Sequence, residues 1–197
     1  MDNGFGSTHT LARDDAGQPD RLFVAALPDA AAASQIHDCA KVLRRANRFE
    51  GRLIEPRHLH ISLFFLGLGE DDGCEDRIAR MDRAANKLKA SAFDVMLDRS
   101  MSFSKRAAKR PFVLVGGNGV RRLAKFREAL GAEMIRSGLR GWARPGFTPH
   151  VTLLYDWRGA DELPIMPVSW VVREFVLIRS LHQQNKHVAL ARWSLRH

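Results

Sequence analysis

Apolar positions in this chain change rhythm from element to element. "RLFVAAL" (Arg21 to Leu27) is an unbroken apolar run of strand length. Pro28 and Asp29 end it and open a helix, with Asp29 as N-cap and Ile36, Ala40 and Leu43 on one face. "LHISLFFLG" (Leu59 to Gly67) reads as a strand, and Ile78, Met81, Ala85 and Leu88 at three-and-four spacing predict a second helix. "FDVMLD" (Phe93 to Asp98) alternates as a half-buried strand does, and "PFVLVGG" (Pro111 to Gly117) is another short strand. Leu123, Phe126, Leu130 and Met134 form the inner face of a third helix between Val120 and Gly138. A strand from His150 follows. The two prolines of "RGADELPIMP" (Arg158 to Pro167) predict a loop before a closing pair, "SWVVREFVLIRSL" (Ser169 to Leu181) and "HVALARWSL" (His187 to Leu195).

These elements repeat. Arg21-Leu22-Phe23-Val24 resembles Arg110-Pro111-Phe112-Val113, and His60 is followed by His150 after a nearly equal interval. Each half runs strand, helix, histidine strand, and such self-similarity points to two related lobes about a pseudo-twofold axis. The expected class is α+β: two small, mainly antiparallel sheets with outer helices around a central cleft. Residues 21–197 are expected to form one bilobal domain, and the polar residues 1–20 a flexible tail without the apolar stretch of a secretory signal.

Composition adds bounds. With 197 residues, 45% of them hydrophobic and 27% charged, the chain has the make-up of a globular protein, and no apolar run is long enough to span a bilayer. Cys39 and Cys74 lack metal-ligand spacing, so both are expected to be structural thiols in a reducing cytoplasm. The formal charge of +9, with local runs "KRAAKR" (Lys105 to Arg110) and "RSGLRGWAR" (Arg136 to Arg144), makes an anionic partner possible and says no more.

The histidines carry the chemistry. Residues two apart in a strand share a face, so His60 lies with Ser62, and His150 with Thr152. Facing lobes would bring two imidazoles and two hydroxyls to one cleft, a set suited to a tetrahedral anion whose hydrolysis needs one proton removed and another delivered. His58 shares the face of His60 on strict alternation, but no carboxylate or thiol with ligand spacing accompanies it, and no metal is expected. His182, His187 and His197 are expected to be surface or supporting groups.

The phrases "LHISLFFLG" and "FTPHVTL", with "LFVAALPD", "PFVLVGG" and "REFVLIRSL" around them, resemble the two-histidine phosphoesterase superfamily. Within it they are most similar to the RNA 2′,3′-cyclic phosphodiesterase family, also called the 2′-5′ RNA ligase family. The likeness runs from Arg21 to Leu195. It implies hydrolysis of RNA 2′,3′-cyclic phosphate ends to 2′-phosphomonoesters without cofactor or metal, and reversible 2′-5′ ligation. His150 would act as base and His60 as acid, while Ser62 and Thr152 bind the phosphate. RNA ends or nucleotide cyclic phosphates are the implied partners of a monomeric enzyme. A small cyclic nucleotide, a 2′-5′ oligonucleotide, and a non-catalytic RNA-binding role stay open as alternatives.

Two departures stand out. Ser62 replaces the commoner threonine, losing the β-branch that stiffens the rotamer. Tyr155 stands where many members of the family carry a phosphate-contacting arginine; Arg106, Arg110 and Arg144 are candidates to supply that charge. Strict alternation turns Tyr155 away from the cleft, whereas a bulge would place it with Thr152. It is expected at the cleft rim, against a base or ribose. Phe147 and Trp142 are candidates to stack a base.

Overall fold

The computed structural model describes residues 19–69, 71–103 and 109–195. Its strands are β1 (Arg21–Ala26), β2 (Ile61–Leu68), β3 (Phe93–Ser102), β4 (Arg110–Val115), β5 (His150–Asp156), β6 (Leu163–Val172), β7 (Glu174–Leu181) and β8 (Lys186–Ser194). Its helices are α1 (Ala30–Ala46), α2 (Cys74–Lys87) and α3 (Arg121–Arg136). Two four-stranded sheets result, ordered β2-β1-β7-β8 and β5-β4-β3-β6, with every pairing antiparallel. Each motif strand is an edge, so β2 and β5 approach one another where the sheets meet. The α+β class and the two-sheet plan are those expected.

The lobes exchange elements more than the repeat suggests. After α2 the chain crosses to lay β3 in the second sheet, and β7 and β8 return to complete the first. α1 follows β1 of the first sheet yet packs on β6 of the second. Asp29 caps α1 as expected, its carboxylate accepting from the Ala32 amide at 2.8 Å.

Three sequence readings need correction. "SWVVREFVLIRSL" is two strands broken at Arg173, and they belong to different sheets. The second half of "RGADELPIMP" is not loop, because β6 begins at Leu163 and contains Pro164 and Pro167. An edge strand tolerates proline, since one side of its backbone has no ladder to serve. The alignment of Phe23 with Phe112 is also one residue out. Ala25 lies opposite Ser62 and Val113 opposite Thr152, so the equivalent positions of β1 and β4 differ by 88 residues. A slip of one residue exchanges faces: Phe112 is buried in the main core, whereas Phe23 lies on the other face.

One continuous apolar core joins the helices to the near faces of both sheets, with Leu22, Ile36, Met81, Leu97, Phe112, Leu123 and Phe175 among its buried side chains. On the far face of the first sheet Phe23, Ala25, Val176 and Ile178 form a separate small cluster. At its start the fold reaches into the segment expected as tail: Asp20 is buried, accepts from Arg179 Nε at 3.0 Å, and its carbonyl accepts from the Gly69 amide. Cys39 and Cys74 are free thiols. Among the described residues, no helix is long and apolar enough to cross a membrane.

Candidate active site

Each motif strand carries a bulge in the same place. Against β1, Ser62 pairs with Ala25 and Phe64 with Val24, which leaves Leu63 as an extra residue. Against β4, Thr152 pairs with Val113 and Leu154 with Phe112, and Leu153 is the extra one. A bulge shifts the phase of alternation by one. Both leucines and the residue after each are therefore buried, while Phe65 shares a face with Ser62, and Tyr155 with Thr152. The doubled apolar pairs Leu63-Phe64 and Leu153-Leu154 are the trace of these bulges in the sequence.

The histidines stand just before that register begins. β2 starts at Ile61, so His60 directly precedes it, and His150 opens β5. His60 Nδ1 lies 2.7 Å from the His58 carbonyl, and His150 Nδ1 lies 2.8 Å from the Thr148 carbonyl. A carbonyl can only accept, so both Nδ1 atoms carry hydrogen, and each Nε2 is left as the atom that takes or gives a proton. Both rings are half-buried, and His150 is close enough for its charge to act on His60.

Their surroundings differ. Phe23 stacks on His60 with centroids 4.8 Å apart and planes at 30°, whereas Phe103 meets His150 edge-on at 4.8 Å and 75°. His187 sits edge-on to His60 at 5.5 Å and 4.6 Å from His58, so it is a supporting group of the first motif rather than a surface residue. Burial first, and then the like charges of His150 and His58, push the pKa of His60 down against the bond to the His58 carbonyl. Burial and the neighbouring histidines also lower the pKa of His187, to about 3. His58 lies in a 3-10 turn (Pro56–His58) rather than on the strand face of His60, and its carbonyl is what orients the catalytic candidate.

Tyr155 is not at a free rim. It is half-buried on the cleft face; burial raises the phenol pKa, while the Thr152 hydroxyl bonded to it and the charge of Arg21 act the other way. Arg21 was not among the candidates for the missing cation, although Arg21, Phe23 and Ala25 alternate on one face from the start of β1. Of the named candidates, Arg144 is exposed with Nε 3.4 Å from the Gly141 carbonyl, and Arg110 pairs opposite Asp156 with its guanidinium against Gly159. Arg106, with Lys105, lies outside the described residues.

Phe147 is half-buried with the Arg127 guanidinium 4.6 Å over its ring. Trp142 leans edge-on to Phe65 at 6.5 Å, with Arg77 5.2 Å over it. It also lies against Gly67, where φ is +98° and any Cβ would stand 2.8 Å from the indole. Phe65 is half exposed (51%), a cleft-face aromatic that strict alternation had hidden. Among the described residues, no three of His, Cys, Asp and Glu are grouped to hold a metal ion.

Paired lobes with a histidine strand in each define the two-histidine phosphoesterase class. The sequence model of the 2′-5′ RNA ligase superfamily matches residues 27–184. An RNA 2′,3′-cyclic phosphodiesterase of Thermus thermophilus is 32% identical over 170 residues, 81% of this chain and 81% of that protein. The apo structure of E. coli LigT matches at a TM-score of 0.68 and 26% identity, covering 92% of this chain and 100% of LigT. LigT complexed with 3′-AMP matches at the same TM-score and identity over 91% and 100% of the two chains. The chain belongs to the 2′-5′ RNA ligase superfamily.

Proposed function

We propose that this protein hydrolyses RNA 2′,3′-cyclic phosphate ends to 2′-phosphomonoesters, using His60 and His150 as an acid–base pair. The observation that carries the reading is the doubled arrangement: two imidazoles, each with Nδ1 tied to the carbonyl two residues before it and each followed on one face by a hydroxyl. A cyclic phosphate between the lobes would accept hydrogen bonds from Ser62 and Thr152 on its non-bridging oxygens, where charge builds during attack. His150 takes a proton from water as the water oxygen bonds to phosphorus. The bond from phosphorus to O3′ breaks in line, and His60 delivers a proton to that oxygen.

The environment of His60 supports its role as acid. An imidazolium that is desolvated, stacked on Phe23 and beside a second histidine gives up its proton more readily than one in water. An arriving anion raises the pKa of His60, because the phosphate sets attraction against the repulsion of His150 and His58. Substrate binding thus charges the acid. A 5′ hydroxyl attacking in place of water forms a 2′-5′ linkage, which is the ligation the same site can support.

Arg21 beside Tyr155 supports the phosphate's charge from the position next to the missing arginine. Phe65 and Trp142 offer aromatic surface to a terminal base. The +9 net charge favours an RNA end over a free nucleotide. We place the protein in the cytoplasm, a reading supported by its two unpaired thiols, and propose that it acts as a monomer.

The test is a substrate panel: an RNA oligonucleotide ending in a 2′,3′-cyclic phosphate, the corresponding 2′,3′-cyclic mononucleotide, and a 2′-5′ oligonucleotide. Turnover greatest on the RNA end, with a 2′-phosphate as product and KM rising steeply with salt, is expected. Preference for the mononucleotide at all salt concentrations would assign the small-nucleotide substrate instead; no turnover of any of the three would reject the enzyme.

A further inference from the structure

A bulge frees a carbonyl from its ladder, and a buried carbonyl needs a donor. The two bulge carbonyls here find theirs outside their own sheets. Leu153 O, beside Thr152, accepts from the Ile54 amide at 2.7 Å. Ile54 lies on the segment that leads through the Pro56–His58 turn to His60, so the second motif is held by the approach to the first. At the other bulge a side chain plays this part. Leu63 O, beside Ser62, accepts from Arg127 Nε at 2.9 Å, and the same guanidinium donates through Nη2 to the Arg144 carbonyl at 2.8 Å. Arg144 lies on the segment that leads through Phe147 and Thr148 to His150. Phe64 and Phe147 cover the guanidinium at 4.3 and 4.6 Å from their ring centres.

We propose that Arg127 is a positioning residue for catalysis: it completes a reciprocal cross-brace in which each bulged motif strand is tied to the approach of the other histidine. Its fork joins the Leu63–Phe64 peptide, next to Ser62, to the His150 approach and thereby fixes the spacing of the two half-sites. Its Nε and Nη2 donors are taken by chain carbonyls, so Arg127 acts through the peptides it holds. Lysine cannot replace it, because one ammonium on a flexible stem does not hold two carbonyls in a fixed plane. Misplacement of a catalytic group by about 1 Å lowers turnover by up to roughly a hundredfold, so the loss belongs in kcat.

The inference rests on the proposed hydrolysis for its kinetic readout, and on hydrogen exchange for a readout that needs no substrate. Arg127→Met keeps the apolar stem between the two phenylalanines and removes both donors. It is expected to lower kcat at least about tenfold with KM within about threefold. Exchange should quicken in peptides covering Ser62–Leu63 and Arg144–His150 and stay unchanged in β7. Arg127→Lys should share the kcat loss, and it decides the matter alone if the methionine variant does not fold. Combined with Ser62→Ala, the loss should be smaller than the product of the two single losses, because Arg127 acts through the placement of Ser62. Wild-type kcat in both variants, losses that multiply in full, or exchange that is unchanged or raised throughout would overturn the proposal. A wild-type protein inert on every substrate would instead overturn the functional reading, and exchange would still decide the brace.

Discussion

Phe23 lies under His60 nearly ring to ring, with planes at 30°, whereas Phe103 meets His150 edge-on at 75°. Two histidines related by pseudo-symmetry thus have different aromatic neighbours. If His60 is the acid, it must be protonated to work. Its lowered pKa makes kcat/KM fall with rising pH from below the usual histidine value near 6.5. A bound phosphate raises that pKa, so kcat should hold to higher pH. Coincident alkaline limbs in the two profiles would count against substrate-assisted charging of His60.

Replacing either histidine by alanine should lower turnover on the order of a hundredfold or more. The two variants are separated by a substrate whose leaving O3′ is replaced by sulfur, since a thiolate departs without a proton. His60→Ala should recover most of its loss on that substrate, and His150→Ala should recover none. Rescue of His150→Ala in its place would reverse the two roles. Chelators should change neither profile.

The cluster of Phe23, His58, His60 and His187 also sets an acid limit on stability. The folded pKa of His187, about 3, lies below its unfolded value near 6.5, so between these values the unfolded chain binds the extra proton. Stability is full above pH 6.5 and is lost as pH falls toward 3, by up to about 1.4 kcal/mol per pH unit for one such group. His187→Gln should flatten chemical-denaturation midpoints between pH 6.5 and 4.5. An unchanged slope would show that His187 is charged in the folded protein.

The sequence made the two histidines legible because period-two patterning and a repeated phrase carry that information locally. The hydroxyl residues came with them. What it concealed was set by register. The bulges at Leu63 and Leu153 moved Phe65 and Tyr155 onto the cleft face, which strict alternation denies them. Arg21 and Arg127 gain their roles from contacts to residues far along the chain, and a long side chain in a basic sequence gives no sign of which carbonyl or phenol it will meet. The single-residue crossing at Arg173 was equally hidden, since β6 and β7 read as one apolar stretch.

We propose that Arg21 and Tyr155 divide the task of the arginine that the family resemblance implies at position 155. Arg21→Gln should raise the inhibition constant for inorganic phosphate by roughly tenfold, about 1.4 kcal/mol, the scale of one charge-assisted hydrogen bond. Tyr155→Phe removes only a neutral hydrogen bond with Thr152 and should lower kcat less than about tenfold. Unaltered phosphate inhibition in Arg21→Gln would move the anion's cation elsewhere. A Tyr155→Phe enzyme as inactive as the histidine variants would place the phenol in the chemical step.

Asp156 ties the end of β5 to the chain that approaches the first motif. Its buried carboxylate accepts from the Glu50 and Gly51 amides, each at 2.7 Å, and from Arg158 N at 2.9 Å. Gly51 is pressed so close that an added Cβ would stand 2.1 Å from the Tyr155 carbonyl, which leaves glycine as the residue that fits. Burial alone would raise the Asp156 pKa, yet the three amides and Arg158 outweigh it and hold the group below the usual carboxylate value. Its contribution is therefore present above about pH 3.9 and lost only as pH falls further, a window below most of that of His187. Asp156→Ala leaves the Glu50 and Gly51 amides without their acceptor and should cost about 3 kcal/mol at neutral pH. That corresponds to roughly 6–12 °C in Tm for a domain of this size. Asp156→Asn keeps one acceptor oxygen and should lose about half as much. Because the same loop leads to His60, both variants should lower kcat as well, in the order of their stability losses. A stable Asp156→Ala protein with wild-type kcat would show that the Glu50–Ile54 segment holds its place without this carboxylate.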